Sequence, residues 1–299
     1  MYDIIIIGGG PAGLTAALYA RRANKTVLVI EKGTFGGQIT YSPKVENIPG
    51  FALVTGNEFA EKLVEQVLSL EAEVECAEVL SVRDGEVKTV VTDSGEFQAK
   101  TVIIATGAKH RLLGLEKEEA MVGNGISFCA VCDGAFYEGK TVAVIGGGNS
   151  ALQEALLLAE TSKKVYVVQN LDYFTGEEKL VEQLKTKPNV EVILGTVVDS
   201  LLGDDELTGI MMRRISDNEV TELPLDGMFV AIGLIPQNEA FADVITLNDM
   251  GYADSGEDCL TTVPGIFVAG DCRSKRIRQV TTAAADGAIA ALAACNYIG

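Results

Sequence analysis

The chain has 299 residues, of which 47% are hydrophobic, and a formal net charge of -18. That length suggests about two domains, and so acidic a chain would repel nucleic acid and anionic membrane surfaces. No apolar run approaches the roughly 20 residues that span a bilayer, and the N-terminus lacks the basic stretch of a signal peptide. We therefore expect a cytoplasmic protein, in which the six cysteines are free, catalytic or metal-bound rather than structural bridges.

The first predicted element is a strand buried on both faces, because residues 4–7 are consecutive isoleucines. The glycine-rich turn GGGPAG at 8–13 follows, and then a predicted helix at 14–23 and a second strand at 26–30. A strand, a turn, a helix and a further strand in this order indicate a βαβ unit at the start of the chain.

Three glycines of this turn have the G-x-G-x-x-G spacing. Gly8 permits the tight turn, Gly10 lets a pyrophosphate approach the backbone, and Gly13 lets the helix pack closely on the strand. The helix N-terminus attracts the phosphates, and Glu31 at the end of the second strand can accept hydrogen bonds from ribose hydroxyls. The pattern predicts a dinucleotide site, and the alternative is a tight turn in a domain that binds no nucleotide.

A second unit of the same kind is predicted further along the chain. A strand at 141–145 leads into GGGNSA at 146–151, and a helix and another strand follow. Two such units so far apart indicate one in each of two domains. Candidate linkers are 113–119, which is rich in charge, and 243–251.

Cys129 and Cys132 form a Cys-x-x-Cys pair that is followed by Asp133. Zinc would need a second pair of ligands, but the other cysteines are scattered and the single histidine, His110, has the charged neighbours of a surface residue; we predict no metal site. A c-type haem would need a histidine after the second cysteine. Two inert core cysteines remain an alternative to a redox dithiol, in which Asp133 would give or take the proton.

Longer motifs along nearly the whole chain resemble those of a known family. They are GGGPAG at 8–13, GGQ at 36–38, VENIPG at 45–50, ATG at 105–107, SFCAVCDGAFY at 127–137, GGGNSA at 146–151, AIG at 231–233, FVAGD at 267–271 and RQVTTAAADGAIAA at 278–291. On these motifs the chain resembles the low-molecular-weight thioredoxin reductases.

The resemblance implies an α/β fold with two Rossmann-like nucleotide-binding domains, the second inserted in the first, which is the FAD/NAD(P)-binding disulfide oxidoreductase fold. The FAD-binding domain would comprise 1–112 and 246–299, and the inserted domain, 115–243, would hold the redox disulfide. In the family the inserted domain rotates about its linkers, so that the disulfide alternates between the flavin and thioredoxin. A homodimer is implied as well.

The same resemblance assigns roles to individual residues. Cys132 would face the flavin, Cys129 would attack the disulfide of thioredoxin, and Asp133 would act as acid and base. A helix beginning near Gln279 would point its N-terminus at the flavin ring. The residues expected to bind FAD are Gly8, Gly10, Pro11, Ala12, Gly13, Glu31, Lys32, Gly37, Gln38, Asn47, Ala105, Thr106, Gly107, Gly270, Asp271, Arg278, Gln279 and Val280.

The NADPH site departs from the family pattern. NADPH-using members carry an H-R-R-D-x-F-R stretch after the second βαβ unit, and its arginines hold the 2′-phosphate. Here the stretch is QNLDYFT at 169–175, with Asn170, Leu171 and Thr175 at the arginine positions. Gln169 stands at the strand end where an NADH site would have an acid. The sequence therefore predicts that neither nucleotide is the physiological donor.

Electrons must then reach the flavin by another route. The chain resembles the subgroup of ferredoxin-dependent, pyridine-nucleotide-independent flavin thioredoxin reductases. Arg273, Lys275, Arg276 and Arg278 put four cations beside the predicted FAD segment of an acidic chain, and such a patch can orient an acidic electron carrier. These cations could instead neutralise the FAD phosphates or lie in a solvated loop.

Three other functions remain open at the level of sequence. The chain could be an NADPH- or NADH-dependent thioredoxin reductase in which Lys163 or Lys164 supplies the missing charge. It could be a flavoprotein like the ferredoxin–NAD(P) reductases of the same fold, although these need no dithiol. It could also be an FAD-binding sensor without enzymatic activity.

Overall fold

A computed structural model describes residues 1–42 and 44–299. The chain forms two compact units, the first comprising Met1–Lys109 with Ile235–Gly299 and the second comprising His110–Leu234. Each unit contains strands that pair in parallel and helices that connect them. The expected α/β class, with the second domain inserted in the first, is confirmed.

The first unit begins with β1 (Tyr2–Ile7), α1 (Pro11–Arg22), β2 (Val27–Glu31), α2 (Gly56–Ser69), β3 (Glu73–Cys76), β4 (Val79–Arg83), β5 (Lys88–Thr92) and β6 (Glu96–Ile104). After β7 (Ala108–His110) the second unit contains α3 (Glu118–Met121), β8 (Ile126–Ser127), α4 (Ala130–Asp133), β9 (Thr141–Ile145), α5 (Asn149–Leu158), β10 (Lys164–Val168), α6 (Glu178–Lys185), β11 (Val190–Ile193), β12 (Thr196–Leu202), β13 (Gly209–Arg214), β14 (Val220–Pro224) and β15 (Gly227–Val230). The chain returns through β16 (Leu234–Pro236) to β17 (Ile266–Val268) and α7 (Val280–Ile298).

The sheet of the first unit has the strand order β3-β2-β1-β6-β5-β4, and β17 also pairs with β6. β1 lies parallel to both β2 and β6, and Ile4, Ile5 and Ile6 are fully buried, as expected for a strand covered on both faces. α1 begins with proline, which suits the first turn of a helix. It packs along α7 so closely that a Cβ on Gly287 would lie 2.1 Å from the Ala12 carbonyl oxygen.

The second unit contains a parallel sheet of order β11-β10-β9-β15-β8 and an antiparallel sheet of order β12-β13-β14. Val142 and Val144 of the central strand β9 are fully buried, and α5 packs on this strand. Over the described residues, no helix combines the length and the apolar character that a membrane crossing requires.

The boundaries of the units differ from the expected 112/115 and 243/246. The chain leaves the first unit after Lys109 and is back in it at Ile235. Phe241, Val244 and Ile245 pack in the core of the first unit, together with strand residues of β1 and β6. These buried apolar side chains assign residues 241–245 to that core, whereas the expected boundaries followed the family resemblance and the candidate linkers.

A buried ionic cluster joins α7 to the segment after β17. Asp286 of α7 is 3% exposed and accepts hydrogen bonds from Arg273 Nε at 2.8 Å and Nη2 at 2.9 Å. Lys275 Nζ lies 2.9 Å from the same carboxylate, and the Gly270 N–H donates to it at 3.0 Å. Burial raises the pKa of Asp286, but Arg273 and Lys275 outweigh burial and hold that pKa below its ordinary value.

We expect Asp286→Ala to lower the free energy of unfolding by about 3–5 kcal/mol in urea denaturation, because it leaves a charged partner buried without its carboxylate. Since folding lowers the pKa of Asp286, the stabilisation is present above the unfolded pKa of about 3.9 and is lost as pH falls through the folded value. Glu191→Gln breaks a half-exposed pair with Lys164 and should cost less than about 1 kcal/mol. Equal losses in the two variants would contradict this account.

Candidate active site

A cavity of about 330 Å³ lies in the first unit, where β1 and β6 end. Most of the residues predicted to bind FAD line it, namely Gly8, Gly10, Pro11, Ala12, Glu31, Lys32, Gly37, Gln38, Ala105, Thr106, Gly107, Asp271, Gln279 and Val280. Ligands of open α/β sheets bind outside the carboxyl ends of the strands, and the cavity has this position.

Other residues that line the cavity were not predicted from sequence, and they come mainly from 77–79 and 237–241. They are Ile7, Ile30, Ile39, Ala77, Glu78, Val79, Ala108, Lys109, Gln237, Glu239, Ala240, Phe241 and Ala283. No motif marks these positions, because long-range folding brings their segments to the cavity.

The turn after β1 has no room for a side chain at two of its glycines. A Cβ on Gly8, whose φ is +109°, would lie 2.3 Å from a carbonyl oxygen after β6, and one on Gly13 would lie 1.9 Å from the Gly8 carbonyl oxygen. Glu31 is tied to the same turn, since Oε2 accepts from the Gly9 N–H at 2.7 Å and Oε1 from the Gly33 N–H at 2.8 Å. Each carboxylate oxygen keeps a further lone pair, so Glu31 can still accept from a ligand hydroxyl.

Two further predicted residues support the cavity without lining it. Asn47 Nδ2 donates to Gln279 Oε1 at 3.2 Å, which links the 45–50 stretch to the residue before α7. Gly270 has a φ of +79°, and a Cβ on it would lie 2.8 Å from the Ala12 side chain. Both residues therefore hold segments of the wall together.

The carboxyl group of Asp271 lies in the wall of the cavity. Burial raises the pKa of its carboxyl above the ordinary value. Its Oδ1 is buried and has no hydrogen-bond partner among the described residues. Since buried polar atoms are nearly always hydrogen-bonded, this oxygen points to a ligand that donates a hydrogen bond. Gln279 and Val280, at the N-terminus of α7, line the same cavity.

Cys129 and Cys132 form a disulfide in the second unit, with their Cα atoms 5.3 Å apart. Cys129 is the residue before the one-turn helix α4, and the Cys132 N–H donates to its Sγ at 3.1 Å. Both cysteines are half-buried, but Val131 between them is 63% exposed. The pair therefore lies at the edge of the packed interior, whereas inert core cysteines would be fully buried.

Asp133 follows Cys132 in sequence and is linked through Ser127 to the backbone of Cys129. Its Oδ2 accepts a hydrogen bond from Ser127 Oγ at 2.6 Å, and the same hydroxyl accepts from the Cys129 N–H at 3.1 Å. Burial raises the pKa of the Asp133 carboxyl, and the hydrogen bond from Ser127 opposes that change. Ser127 was missed from sequence, although it begins the SFCAVCDGAFY motif.

His110 does not have the surface position that its charged neighbours suggested. Its ring stacks on that of Phe128, with the centroids 4.4 Å apart. Burial lowers the pKa of His110 to about 4. The imidazole is therefore neutral near pH 7 and acts as an aromatic packing group beside the cysteine segment.

The second glycine turn differs from the first at the strand end. Gln169 is 5% exposed. Its side-chain amide packs so closely on the turn that a Cβ on Gly147 would lie 2.5 Å from it. Its Nε2 donates to the Tyr173 carbonyl at 3.4 Å. Thr175 Oγ1 donates to the Gly147 carbonyl at 3.3 Å, so it points back at the turn. Neither side chain offers a charge.

The two lysines that could have replaced the missing arginines lie at the other end of the strand. Lys164 begins β10 and pairs in register with Thr141, the first residue of β9, whereas the glycine turn follows the last residue of β9. A strand of that length spans roughly 15 Å. Lys164 Nζ is also bound to Glu191 at 2.8 Å. Lys163 and Lys164 are therefore not the missing phosphate ligands.

The four cations of the 273–278 segment do not form one surface patch, contrary to expectation. Arg273 is 2% exposed and the Lys275 side chain 6%, because both are bound in the buried cluster with Asp286. Arg276 is exposed, and Arg278 lies over the Tyr252 ring, 4.3 Å from its centroid. Two buried cations cannot steer a partner, so this segment gives no support to a docking site.

The chain matches known proteins over nearly its whole length. The family model described as pyridine nucleotide-disulphide oxidoreductase matches residues 2–287. A thioredoxin reductase of Listeria monocytogenes is 40% identical, with 100% of this chain and 94% of that protein covered. A 34.2 kDa protein in the rubredoxin operon of Clostridium pasteurianum is 41% identical, with 99% and 97% covered.

A solved structure agrees with these relatives. The crystal structure of thioredoxin reductase from Streptococcus pyogenes matches with a TM-score of 0.95 and 39% identity, and the match covers 99% of this chain and 98% of that one. The chain therefore belongs to the low-molecular-weight thioredoxin reductases, within the pyridine nucleotide-disulphide oxidoreductase family.

Proposed function

We propose that this protein reduces the disulfide of thioredoxin with electrons that pass through FAD and the Cys129–Cys132 pair. The observation that carries the proposal is the half-buried Cys129–Cys132 disulfide, together with the carboxyl of Asp133, which accepts a hydrogen bond from Ser127. A ferredoxin–NAD(P) reductase-like flavoprotein or a sensor would need neither feature. A homodimer and rotation of the inserted domain stay predictions from the family resemblance, and a cytoplasmic location stays a prediction from the sequence.

FAD fits the cavity of the first unit. Gly8 and Gly10 bring backbone to its wall, Glu31 keeps free lone pairs for ribose hydroxyls, and the buried Asp271 Oδ1 needs a donor. The α7 N-terminus adds partial positive charge beside Gln279. FAD, when bound, would accept electrons from a donor and deliver them as a pair.

The two cysteines react by ordinary thiol–disulfide exchange. Two electrons and two protons convert the Cys129–Cys132 bond into two thiols. Cys129, as the thiolate, attacks one sulfur of the thioredoxin disulfide, so that a mixed disulfide forms and the other thioredoxin sulfur leaves and takes a proton. Cys132 then breaks the mixed disulfide, which restores the internal bond and releases reduced thioredoxin. Asp133 gives and takes the protons at the pair.

The electron donor in this proposal is reduced ferredoxin rather than a pyridine nucleotide. Gln169, Asn170, Leu171 and Thr175 carry no charge for a 2′-phosphate, and the two nearby lysines lie at the far end of β10. Each missing charge-assisted hydrogen bond costs about 1.5–3 kcal/mol of affinity. NADPH is the alternative donor, because the family's description names a pyridine nucleotide.

The FAD site can be tested with two glycine variants. A Cβ on Gly10 meets no atom nearer than 3.9 Å, so Gly10→Ala should fold, with stability within about 1 kcal/mol of the parent. It should bind FAD at least roughly tenfold more weakly, since the methyl group stands where a pyrophosphate must approach. Flavin fluorescence titration measures this affinity. Gly33→Ala, with its nearest contact at 3.5 Å, is the control, and equal FAD affinity in both variants would remove the cavity as the flavin site.

The roles of the two cysteines predict different products. Cys129→Ser should lose thioredoxin reduction by about 100-fold or more, because the attacking thiolate is gone, while the donor still bleaches the flavin. Cys132→Ser should trap a mixed disulfide between Cys129 and thioredoxin, visible on a non-reducing gel. If Cys129→Ser forms the trapped complex instead, the two roles are reversed.

The donor can be tested by anaerobic bleaching of the flavin with NADPH, NADH or reduced ferredoxin. We expect ferredoxin to bleach it at least roughly 100-fold faster than NADPH, given the affinity lost with three arginines. Restoring the charges in an Asn170→Arg, Leu171→Arg, Thr175→Arg variant should raise the NADPH rate, and Lys164→Gln should not change it in the parent protein. Rapid bleaching of the parent by NADPH would overturn the donor assignment and leave the thioredoxin reductase activity standing.

A further inference from the structure

Ser127 lies in the disulfide segment and makes one hydrogen bond to Cys129 and one to Asp133. It ends the short strand β8, is 5% exposed and lies two residues before Cys129. Its single hydroxyl proton and its oxygen are both engaged, since Oγ accepts from the Cys129 N–H at 3.1 Å and donates to Asp133 Oδ2 at 2.6 Å.

These two contacts decide the direction of the hydroxyl proton. The Cys129 N–H can only donate, so Ser127 accepts from it. Ser127 directs its own proton to Asp133 Oδ2, the acceptor that lies 2.6 Å away. Asp133 Oδ2 is therefore held as an acceptor. If the proton of the carboxyl lay on Oδ2, the Ser127 proton would lose its buried acceptor, which is costly.

The other carboxyl oxygen has the opposite surroundings. Asp133 Oδ1 is buried and has no hydrogen-bond partner within the described part of the chain. An ionised oxygen so placed is poorly solvated, so a proton on the carboxyl is better placed on Oδ1. The two oxygens of one carboxyl group are thus made different by a single serine.

We propose that Ser127 is a positioning residue for the proton transfers at the Cys129–Cys132 pair: its hydroxyl holds Asp133 Oδ2 as an acceptor and leaves Oδ1 to give and take the proton. When the thiolate of an external dithiol attacks the internal disulfide, a mixed sulfur–sulfur bond forms, the Cys129–Cys132 bond breaks, and the leaving cysteine sulfur takes the Oδ1 proton; the second thiol of the dithiol then attacks the mixed bond, so that the dithiol is oxidised and both cysteines are reduced. Asp133 then regains a proton from solvent. The proposal rests on the thioredoxin reductase function, whose proton donor and acceptor it specifies.

Removal of the Ser127 hydroxyl should change the pKa of Asp133 in a predictable direction. A hydrogen bond to the carboxylate favours its charged form, and in this protein the Ser127 bond opposes the rise that burial causes in the pKa of Asp133. Ser127→Ala should therefore raise that pKa further and move the Asp133 limb of a pH–rate profile to higher pH. Ser127→Thr keeps the hydroxyl and should restore the parent profile.

Other groups on the elements packed against α4 titrate as well. Tyr137, in the turn that follows α4, has its pKa raised to about 12 by burial and by the charge of Asp133. Glu154 on α5 has its pKa raised to about 8 by burial. Glu154→Gln is therefore the matched control, because it removes the group that titrates closest to neutral pH and leaves the Ser127–Asp133 bond in place.

The test uses the FAD-loaded full chain and reduction of its disulfide by dithiothreitol across pH 5–9, followed by thiol release. The ratio of variant to parent rate cancels the titration of the reagent. We expect Ser127→Ala to react roughly tenfold more slowly at the parent's optimum with the shifted limb, and Ser127→Thr to match the parent. The double variant of Ser127→Ala and Asp133→Asn should be no slower than Asp133→Asn alone, because Ser127 acts only through the Asp133 carboxyl.

The outcomes separate this proposal from the proposed function. An unshifted profile in Ser127→Ala, a slow Ser127→Thr variant, or additive losses in the double variant would each overturn the positioning role. A limb that disappears in Glu154→Gln would assign it to Glu154 and overturn the role as well. If the parent reduces no thioredoxin with any donor while the dithiothreitol profile shifts as expected, the proposed function fails and the positioning role stands.

Discussion

The architecture depends on one steric constraint, the close approach of backbone to backbone where a central strand turns into a helix. A Cβ on Gly13 would lie 1.9 Å from the Gly8 carbonyl oxygen, so no other residue fits there without moving the helix. The second unit repeats the constraint, since a Cβ on Gly146 would lie 2.5 Å from the Ala231 carbonyl oxygen. In both turns the close approach holds a helix N-terminus at the carboxyl edge of a parallel sheet, where anions bind.

The two glycine turns have different residues around them, and this difference separates the two sites in function. The first has Glu31 bonded to the turn and a cavity wall with an unsatisfied Asp271 oxygen. The second has a buried Gln169 and a following stretch without cations. One scaffold thus serves as a nucleotide site in one unit and, in our proposal, mainly as a rigid support for the disulfide in the other. Glycine spacing alone cannot distinguish these two uses.

Sequence reasoning succeeded where a function needs a fixed local spacing and failed where it depends on distant partners. The glycine motif and Glu31 are local patterns that line one cavity of the first unit, and the Cys129–Cys132 pair is a local pattern that forms a disulfide in the second unit. The burial of Arg273 and Lys275 cannot be predicted from their own segment, because their partner, Asp286, lies in the following helix. Ser127 was missed for a related reason, since a lone serine has no signal until its hydroxyl is seen between a backbone N–H and a buried carboxylate.

In the proposed function, electrons from reduced ferredoxin pass through the flavin to the cysteine pair. An anaerobic titration of the FAD-loaded protein, with thiols counted after denaturation, tests it most directly. The account predicts a rise from four free thiols, those of Cys76, Cys259, Cys272 and Cys295, to all six cysteines, and a return to four when oxidised thioredoxin is added. A flavin that is fully bleached by reduced ferredoxin while the count stays at four would contradict it.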